Sequence, residues 1–322
     1  MDDGKNFDII ILGGGPAGLS AAVYAARSSA KTAIIDKSMF GGQPSNYLEL
    51  ENYPGFKRIG GYDLMENFEE HADMFGINKF PMEEIQSVNL TGDKKVVKTL
   101  NGEFTADAII IATGAQPRHL GVKGEEEFIG RGVSYCAVCD GAFYKDKVVA
   151  VAGGGNAAVE EAMYLTRFAS KVYLIHRRDE LRADKIVQER AFKNDKLEFI
   201  FDSVVEEIIG DDTVKSLKIK NVKTEETSVL EVSGIFPYIG ILPNTELFNG
   251  QIQQDKSGFI VTDEKMQTSE AGVYAVGDVR TTPLRQVITA AADGAVAAVF
   301  AGHYTDTLKT SQKQTANIKT NN

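Results

Sequence analysis

Cys136 and Cys139 are the only cysteines in this chain of 322 residues, and they sit two residues apart in Cys136-Ala137-Val138-Cys139-Asp140. Thiols at this spacing can close a small-loop disulfide, and such pairs are typically redox-active rather than structural. Half of a zinc site is an alternative. Zinc takes four ligands, however, no second cysteine pair exists, and His71, His119, His176 and His303 are isolated, so the site would have to be shared between subunits. Two buried, inert cysteines are the third reading, because free cysteine packs as a small apolar group. Redox use is favoured, provided the rest of the chain supplies electrons.

An electron source is written twice. Asp8-Ile-Ile-Ile-Leu12 runs into Gly13-Gly-Gly-Pro-Ala-Gly18 and then the alanine-rich stretch Leu19–Arg27. Lys147–Ala152 runs into Gly153-Gly-Gly-Asn-Ala-Ala158 and then Val159–Leu165. Both read as strand, glycine turn and helix, the dinucleotide fingerprint. Gly13 and Gly153 make the turn, Gly15 and Gly155 let backbone approach a pyrophosphate, and Gly18 and Ala158 pack helix on strand. The helices beginning at Pro16-Ala17 and at Asn156-Ala157 offer unpaired N–H groups to phosphates. One such motif is weak evidence; two in the same context are much stronger.

The following strands tell the two apart. Thr32–Ile35 ends in Asp36, near the spacing of an acid that binds ribose hydroxyls. Lys171–Ile175 ends in His176-Arg177-Arg178, with Arg182 one helical turn beyond. An acid repels a 2′-phosphate, whereas a basic cluster pairs with it through charge-assisted hydrogen bonds. The first site therefore reads as FAD and the second as NADPH. A solvated helix start is the blander reading of the charge run 176–182.

Further segments complete the first site. Asp107–Ala115 reads as a buried strand ending in the turn Thr113-Gly114, and Gly272–Asp278 delivers Gly277 and Asp278 at a strand's carboxyl end, where ligands of open α/β sheets gather. Arg285 and Gln286 open an alanine-rich helix, Val287 to Ala301, placing a positive charge and amide donors where reduced flavin is anionic. For Asp278, Arg285 and Gln286, ordinary turn or capping roles are the alternative.

The fold class is α/β, with two Rossmann-like dinucleotide-binding domains and the second inserted into the first. The boundaries read 1–116 and 245–322 for the FAD domain and 117–244 for the NADPH and redox-disulfide domain, with Pro or Gly at both connections. The polar tail Thr305–Asn322 is expected to be disordered at its end. A net charge of −10 argues against a nucleic-acid surface. No apolar run is expected to approach membrane-span length, and Met1-Asp-Asp-Gly-Lys5 does not read as a signal peptide. Without stapling disulfides, a reducing cytoplasm is the expected compartment.

Together these residues resemble the low-molecular-weight thioredoxin reductases, over nearly the whole chain. The resemblance rests on Gly13–Gly18, Gly41-Gly42-Gln43, Glu51-Asn52-Tyr53-Pro54-Gly55, Ala112-Thr113-Gly114, the Cys136–Asp140 motif, Gly153–Asn156, His176–Arg178 with Arg182, and Gly277-Asp278. It implies a homodimer with tightly held FAD, NADPH as donor and oxidised thioredoxin as acceptor. It implies that Gly42, Gln43, Asn52 and Val287 also lie along FAD. Cys139 becomes the sulfur that meets the flavin, Cys136 the nucleophile toward thioredoxin, and Asp140 the acid–base group, with N-capping as its alternative. It also implies that the inserted domain rotates during turnover. Ala157 stands where the family commonly has Ser or Thr, so one pyrophosphate hydrogen bond is lost. The beginning of the chain shows no thioredoxin-like extension, which argues against the flavoprotein subunit of alkyl hydroperoxide reductase. A flavin-dependent disulfide reductase with another donor or acceptor (ferredoxin, a glutaredoxin-like protein) and a redox-sensing flavoprotein remain as alternatives.

Overall fold

Five buried apolar residues in the first strand decide the layers around it. In β1 (Asn6–Leu12), Ile9 and Ile11 join one apolar layer and Ile10 and Leu12 the other, following the two-residue period of a strand, while Phe7 at the strand's start joins the second layer out of that period. All five are buried, which is how a parallel strand covered on both faces reads in sequence. The computed structural model describes residues 5–46, 50 and 52–320. They form two compact units, Met1–Gln116 with Leu242–Asn322, and Pro117–Ile241.

The first unit continues from β1 through α1 (Pro16–Arg27), β2 (Thr32–Ile35), α2 (Gly61–Asp73) and β3 (Asn78–Phe80). A meander follows: β4 (Ile85–Asn89), β5 (Lys95–Thr99) and β6 (Gly102–Ile111). The chain leaves through β7 (Ala115–Pro117). In the second unit come α3 (Ala137–Asp140), β8 (Val148–Gly153), α4 (Asn156–Leu165), β9 (Lys171–Ile175), α5 (Lys185–Ala191) and β10 (Leu197–Ile200). Then follow β11 (Ser203–Gly210), β12 (Val214–Asn221), β13 (Thr227–Glu231) and β14 (Ile235–Tyr238). The chain returns through β15 (Ile241–Pro243) and finishes with β16 (Val273–Ala275) and α6 (Val287–Thr320). The return falls before residue 244, because Asn244 is bonded into the first unit: its side-chain amide donates to Thr113 O at 2.8 Å, and its backbone N–H donates to Gly114 O at 3.0 Å.

The first sheet has the order β3-β2-β1-β6-β5-β4, with β16 also on β6. β6 is long enough to serve two partners. Its first half runs antiparallel to β5, from Gly102 opposite Thr99 to Ala106 opposite Lys95, and its second half runs parallel to β16, pairing Ile109–Ile111 with Val273–Ala275. The second unit holds the all-parallel sheet β10-β9-β8-β14 and the antiparallel meander β11-β12-β13. Parallel strands joined through helices place the carboxyl ends of β1 and β8 at the edge where open α/β sheets bind ligands.

Helix α6 departs from the sequence reading twice. Helix was expected only to Ala301, but it runs through Thr320, because residues 303–320 contain no Gly or Pro to stop it. Lys309 also ties the extension to Asp8 at 2.8 Å. Asn321 and Asn322 lie outside the described residues. The segment Val287–Ser311 is also long and apolar enough by composition to cross a membrane, contrary to the expectation that no apolar run approaches that length. Within it, Ala290, Ala297, Ala298 and Ala301 lie buried in the same layer as Ala17, Ala21, Ala22 and Ala25 of α1.

Small residues let α1 and α6 approach closely. A methyl on Gly294 would stand 2.1 Å from Ala17 O. Gly294→Ala therefore forces these helices apart and is expected to cost about 1–3 kcal/mol, the usual scale of overpacking. Thermal unfolding checks this; an unchanged midpoint would show that the helices have slack.

Candidate cofactor cradles and redox centre

The turn after β1 is shaped by contacts no side chain could share. Gly13 has φ +108°, and a methyl there would stand 2.3 Å from Ala112 O at the end of β6. At Gly18 it would stand 1.9 Å from Gly13 O. Gly15 differs: its space is open except for Gly42 Cα at 3.9 Å, so room remains over the N-terminus of α1 where the sequence placed a pyrophosphate. Pro16 occupies the first helical position, where its missing N–H costs nothing. Asp36 closes the turn, accepting from Gly14 N–H at 2.6 Å and Ser38 N–H at 2.8 Å. One carboxylate thus orients the glycine loop and stands where a ribose acid is expected.

The distant pieces converge on this unit. A methyl on Gly277 would come within 3.0 Å of Ala17 Cβ, so the late strand and the first fingerprint meet. Gln43 donates its amide to Ala115 O, and Thr113 donates its hydroxyl to Asn244 O at 2.7 Å. Asn52 donates to Gln286 Oε1 at 2.8 Å, while Val287 packs on Leu50, Leu64 and Met65. Glu51 lies outside the described residues. Burial pushes the Asp278 carboxyl up and the Arg285 guanidinium down, although each charge favours the other. Arg285 lies over the Phe259 ring at 4.2 Å, and its Nε is buried without a hydrogen-bond partner among the described residues. An orphaned cationic donor and an open glycine cradle fit a group carrying phosphates and an electron-rich ring.

Sequence reasoning missed the brace beneath this turn. Asp293 accepts from Gly277 N–H at 3.1 Å and from Arg280 Nε at 2.8 Å, and Arg280 also donates to Thr262 and to Thr281 O. Nothing local marks Asp293, an acid in the alanine-rich part of α6. Its partners lie a turn and a strand away.

The second cradle repeats the first in its own unit. Gly153 has φ +154°, and a methyl there would stand 2.4 Å from Tyr238 O and 2.6 Å from Ala158 Cβ. A methyl at Gly155 would meet nothing within 4 Å. Asn156 turns its side chain to Asp184, donating at 2.8 Å and accepting its N–H at 2.7 Å, which pins the loop carrying Arg182 to the start of α4. Ala157 is exposed beside it. Arg177, Arg178 and Arg182 are exposed, and among the described residues no ion pair engages them.

His176 does not join that basic cluster as a charge. It is buried against Gly154, where a methyl would stand 2.3 Å from its ring, and burial first, then the three arginines, hold its pKa below the usual histidine range. It acts as a neutral wedge, so the positive field comes from the arginines alone.

The redox motif occupies the same unit. Cys136 is disulfide-bonded, and the sequence offers one other cysteine. The Cys139 side chain lies outside the described residues. The backbone at Cys136 is pinned: its N–H donates to Ser134 Oγ at 3.1 Å, and its carbonyl accepts from Ser134 Oγ at 3.3 Å and Asp140 N–H at 3.1 Å. Ala137 N–H donates to the Tyr238 hydroxyl at 2.8 Å. Asp140 precedes the short helix 141–144 but makes no side-chain capping bond there. Burial, and secondarily the Asp140 charge, push the Tyr144 hydroxyl up to about 12.

The pyridine nucleotide-disulphide oxidoreductase family matches residues 7–294. A thioredoxin reductase of Peptoclostridium acidaminophilum is 49% identical over 307 residues, covering 93% of this chain and 97% of that protein. The solved thioredoxin reductase of Lactococcus lactis is 46% identical with a TM-score of 0.77, covering 93% of this chain and 99% of that one. That of Streptococcus pyogenes is 47% identical with a TM-score of 0.77, over 94% and 99%.

One group beside the second cradle titrates unusually. Burial, aided by the neighbouring Glu160 charge, pushes the Glu161 carboxyl up from 4.5 to about 7, and its Oε2 has no hydrogen-bond partner among the described residues. The folded state holds this proton more tightly than the unfolded chain does. Its contribution is fully present below the unfolded value of 4.5 and is lost as pH rises through about 7. Glu161→Gln removes that titration. Its thermal midpoint should exceed the parent's by a margin that grows between about pH 5 and about pH 8; a pH-independent margin would contradict the assignment.

Proposed function

We propose that this chain, which belongs to the pyridine nucleotide-disulphide oxidoreductase family and within it to the thioredoxin reductases, carries two electrons from NADPH to the disulfide of oxidised thioredoxin. The observation that carries the reading is a disulfide-bonded Cys136 in a chain with two separate dinucleotide cradles, one ending in Asp36 and the other in Arg177, Arg178 and Arg182. The unit Met1–Gln116 with Leu242–Asn322 holds FAD; the unit Pro117–Ile241 holds NADPH and the redox pair. The working form is a cytoplasmic homodimer, a reading supported by the family and the cysteine usage.

Bound FAD supplies a two-electron relay between nicotinamide and disulfide. The glycine loop at 13–18 and the N-terminus of α1 hold its pyrophosphate, Asp36 its adenosine ribose, and Asp278 a hydroxyl of the chain leading to the ring. Arg285 and Gln286 would offer donors to the flavin ring, with Asn52 orienting Gln286. In the other cradle the three arginines pair with the 2′-phosphate that distinguishes NADPH from NADH.

Once the pair is reduced, the Cys136 thiolate attacks one sulfur of the thioredoxin disulfide. That bond breaks, a mixed disulfide forms, and the partner's second sulfur leaves and takes up a proton. Cys139 as thiolate then attacks Cys136, restoring the intrachain disulfide and releasing the other thioredoxin sulfur as a thiol after protonation. Asp140 supplies and removes the protons at the pair. The net reaction consumes one NADPH and one proton for each thioredoxin disulfide reduced.

The purified protein should be yellow, bleach with NADPH and regain colour when oxidised thioredoxin is added. Cys136→Ser and Cys139→Ser should still bleach but pass nothing on, and full thioredoxin turnover by either variant would sink the assignment. Replacing Arg177, Arg178 or Arg182 with Ala should raise KM for NADPH by about tenfold or more each, the scale of a hydrogen bond to a charged group, with little change for NADH. Equal losses for both nucleotides would mean the arginines act on something other than the 2′-phosphate.

A further inference from the structure

Glu125 is a carboxylate only 2% exposed, with no ion pair among the described residues. Its partners are three uncharged donors. Leu120 N–H and Gly121 N–H reach its two oxygens at 2.7 Å each, and the Tyr135 hydroxyl reaches Oε1 at 2.8 Å. Gly121, at φ +74°, lets two consecutive N–H groups converge on one anion. A buried carboxylate is tolerated only when such bonds satisfy it, and bonds to an ion are the strong ones. Burial, and then Glu125 itself, push the Tyr135 hydroxyl far above its ordinary range, so it remains a donor. The exposed His119 ring covers the tyrosine at 5.1 Å. Glu125 thereby ties the turn at 120–121 to the residue immediately before Cys136.

We propose that Tyr135 is a positioning residue for Cys136: its hydroxyl, anchored on the buried Glu125 carboxylate, fixes the backbone that presents the Cys136 sulfur. Together with Ser134, which holds the Cys136 N–H and carbonyl, it leaves the nucleophile's backbone few alternatives. A thiol held in place has a high effective concentration toward its partner sulfur, and freeing it lowers that concentration. The Tyr135 assignment rests on the role proposed above for Cys136 in reducing thioredoxin.

The test uses the FAD-loaded Tyr135→Phe variant, equilibrated in redox buffers of reduced and oxidised dithiothreitol with thiols counted by alkylation. The equilibrium constant for closing the disulfide should fall about tenfold, read as a rise of about 30 mV in the potential of the pair. kcat/KM for thioredoxin should fall with it, while flavin bleaching by NADPH stays at the parental rate. A merely structural tyrosine would lower thermal stability and leave the potential unmoved; an unmoved potential at full FAD content overturns the proposal. Glu125→Gln should shift the potential in the same direction, and the double variant should be no worse than the more affected single one, since both remove one interaction. Strict additivity also overturns the proposal. If the parent protein passes no electrons to thioredoxin, the functional reading fails, yet the redox-buffer equilibrium still decides whether Tyr135 positions Cys136.

Discussion

In both units the site depends on a glycine pressed against a backbone carbonyl. Gly13 abuts Ala112 O at the end of β6, and Gly153 abuts Tyr238 O at the end of β14. Each contact leaves no space for a Cβ, and each glycine adopts a positive φ that other residues rarely tolerate. Because the turn can pass this close to the neighbouring strand, the helix that follows starts over the sheet edge with its N–H groups free. The glycine two positions later then faces open space in both cradles, at Gly15 and Gly155. Tight first, open second is the steric rule that makes each loop a receptacle.

Charge differentiates the two receptacles after sterics has made them alike. Asp36 is spent on the Gly14 and Ser38 N–H groups and so has a fixed orientation, whereas the side chains of the three exposed arginines of the second cradle make no ion pair among the described residues. His176 shows how burial alters a sequence-level charge count. Read as a letter it belongs with the arginines; packed on Gly154, with three cations near it, it stays neutral.

What was legible in the sequence was whatever depends on local pattern. The fingerprints, the strand-end Asp36 and the cysteine spacing each lie within one turn and its flanks, where residue type and position carry the chemistry directly. What escaped depends on partners far away in sequence. Asp293 beneath Gly277, Asn244 beside Thr113 and Glu125 against Tyr135 are ordinary polar residues whose meaning lies in what folding places beside them. The length of α6 escaped for a different reason: its polar end carries no breaker, so a composition that reads as tail propagates the helix already started by the alanines.

The double pairing of β6 has a consequence for how the chain is made. Residues 117–241 form a unit whose strands all lie within that span, so it is complete as soon as it has emerged from the ribosome. The first unit is not. The second half of β6 must wait with an open edge until Val273–Ala275 arrives, and α1 waits longer still for α6. Since domains generally fold as units in the order of synthesis, the guest has all its strands before its host. The exposed flank of β6 is thus the stretch most in need of shelter while the chain is being born.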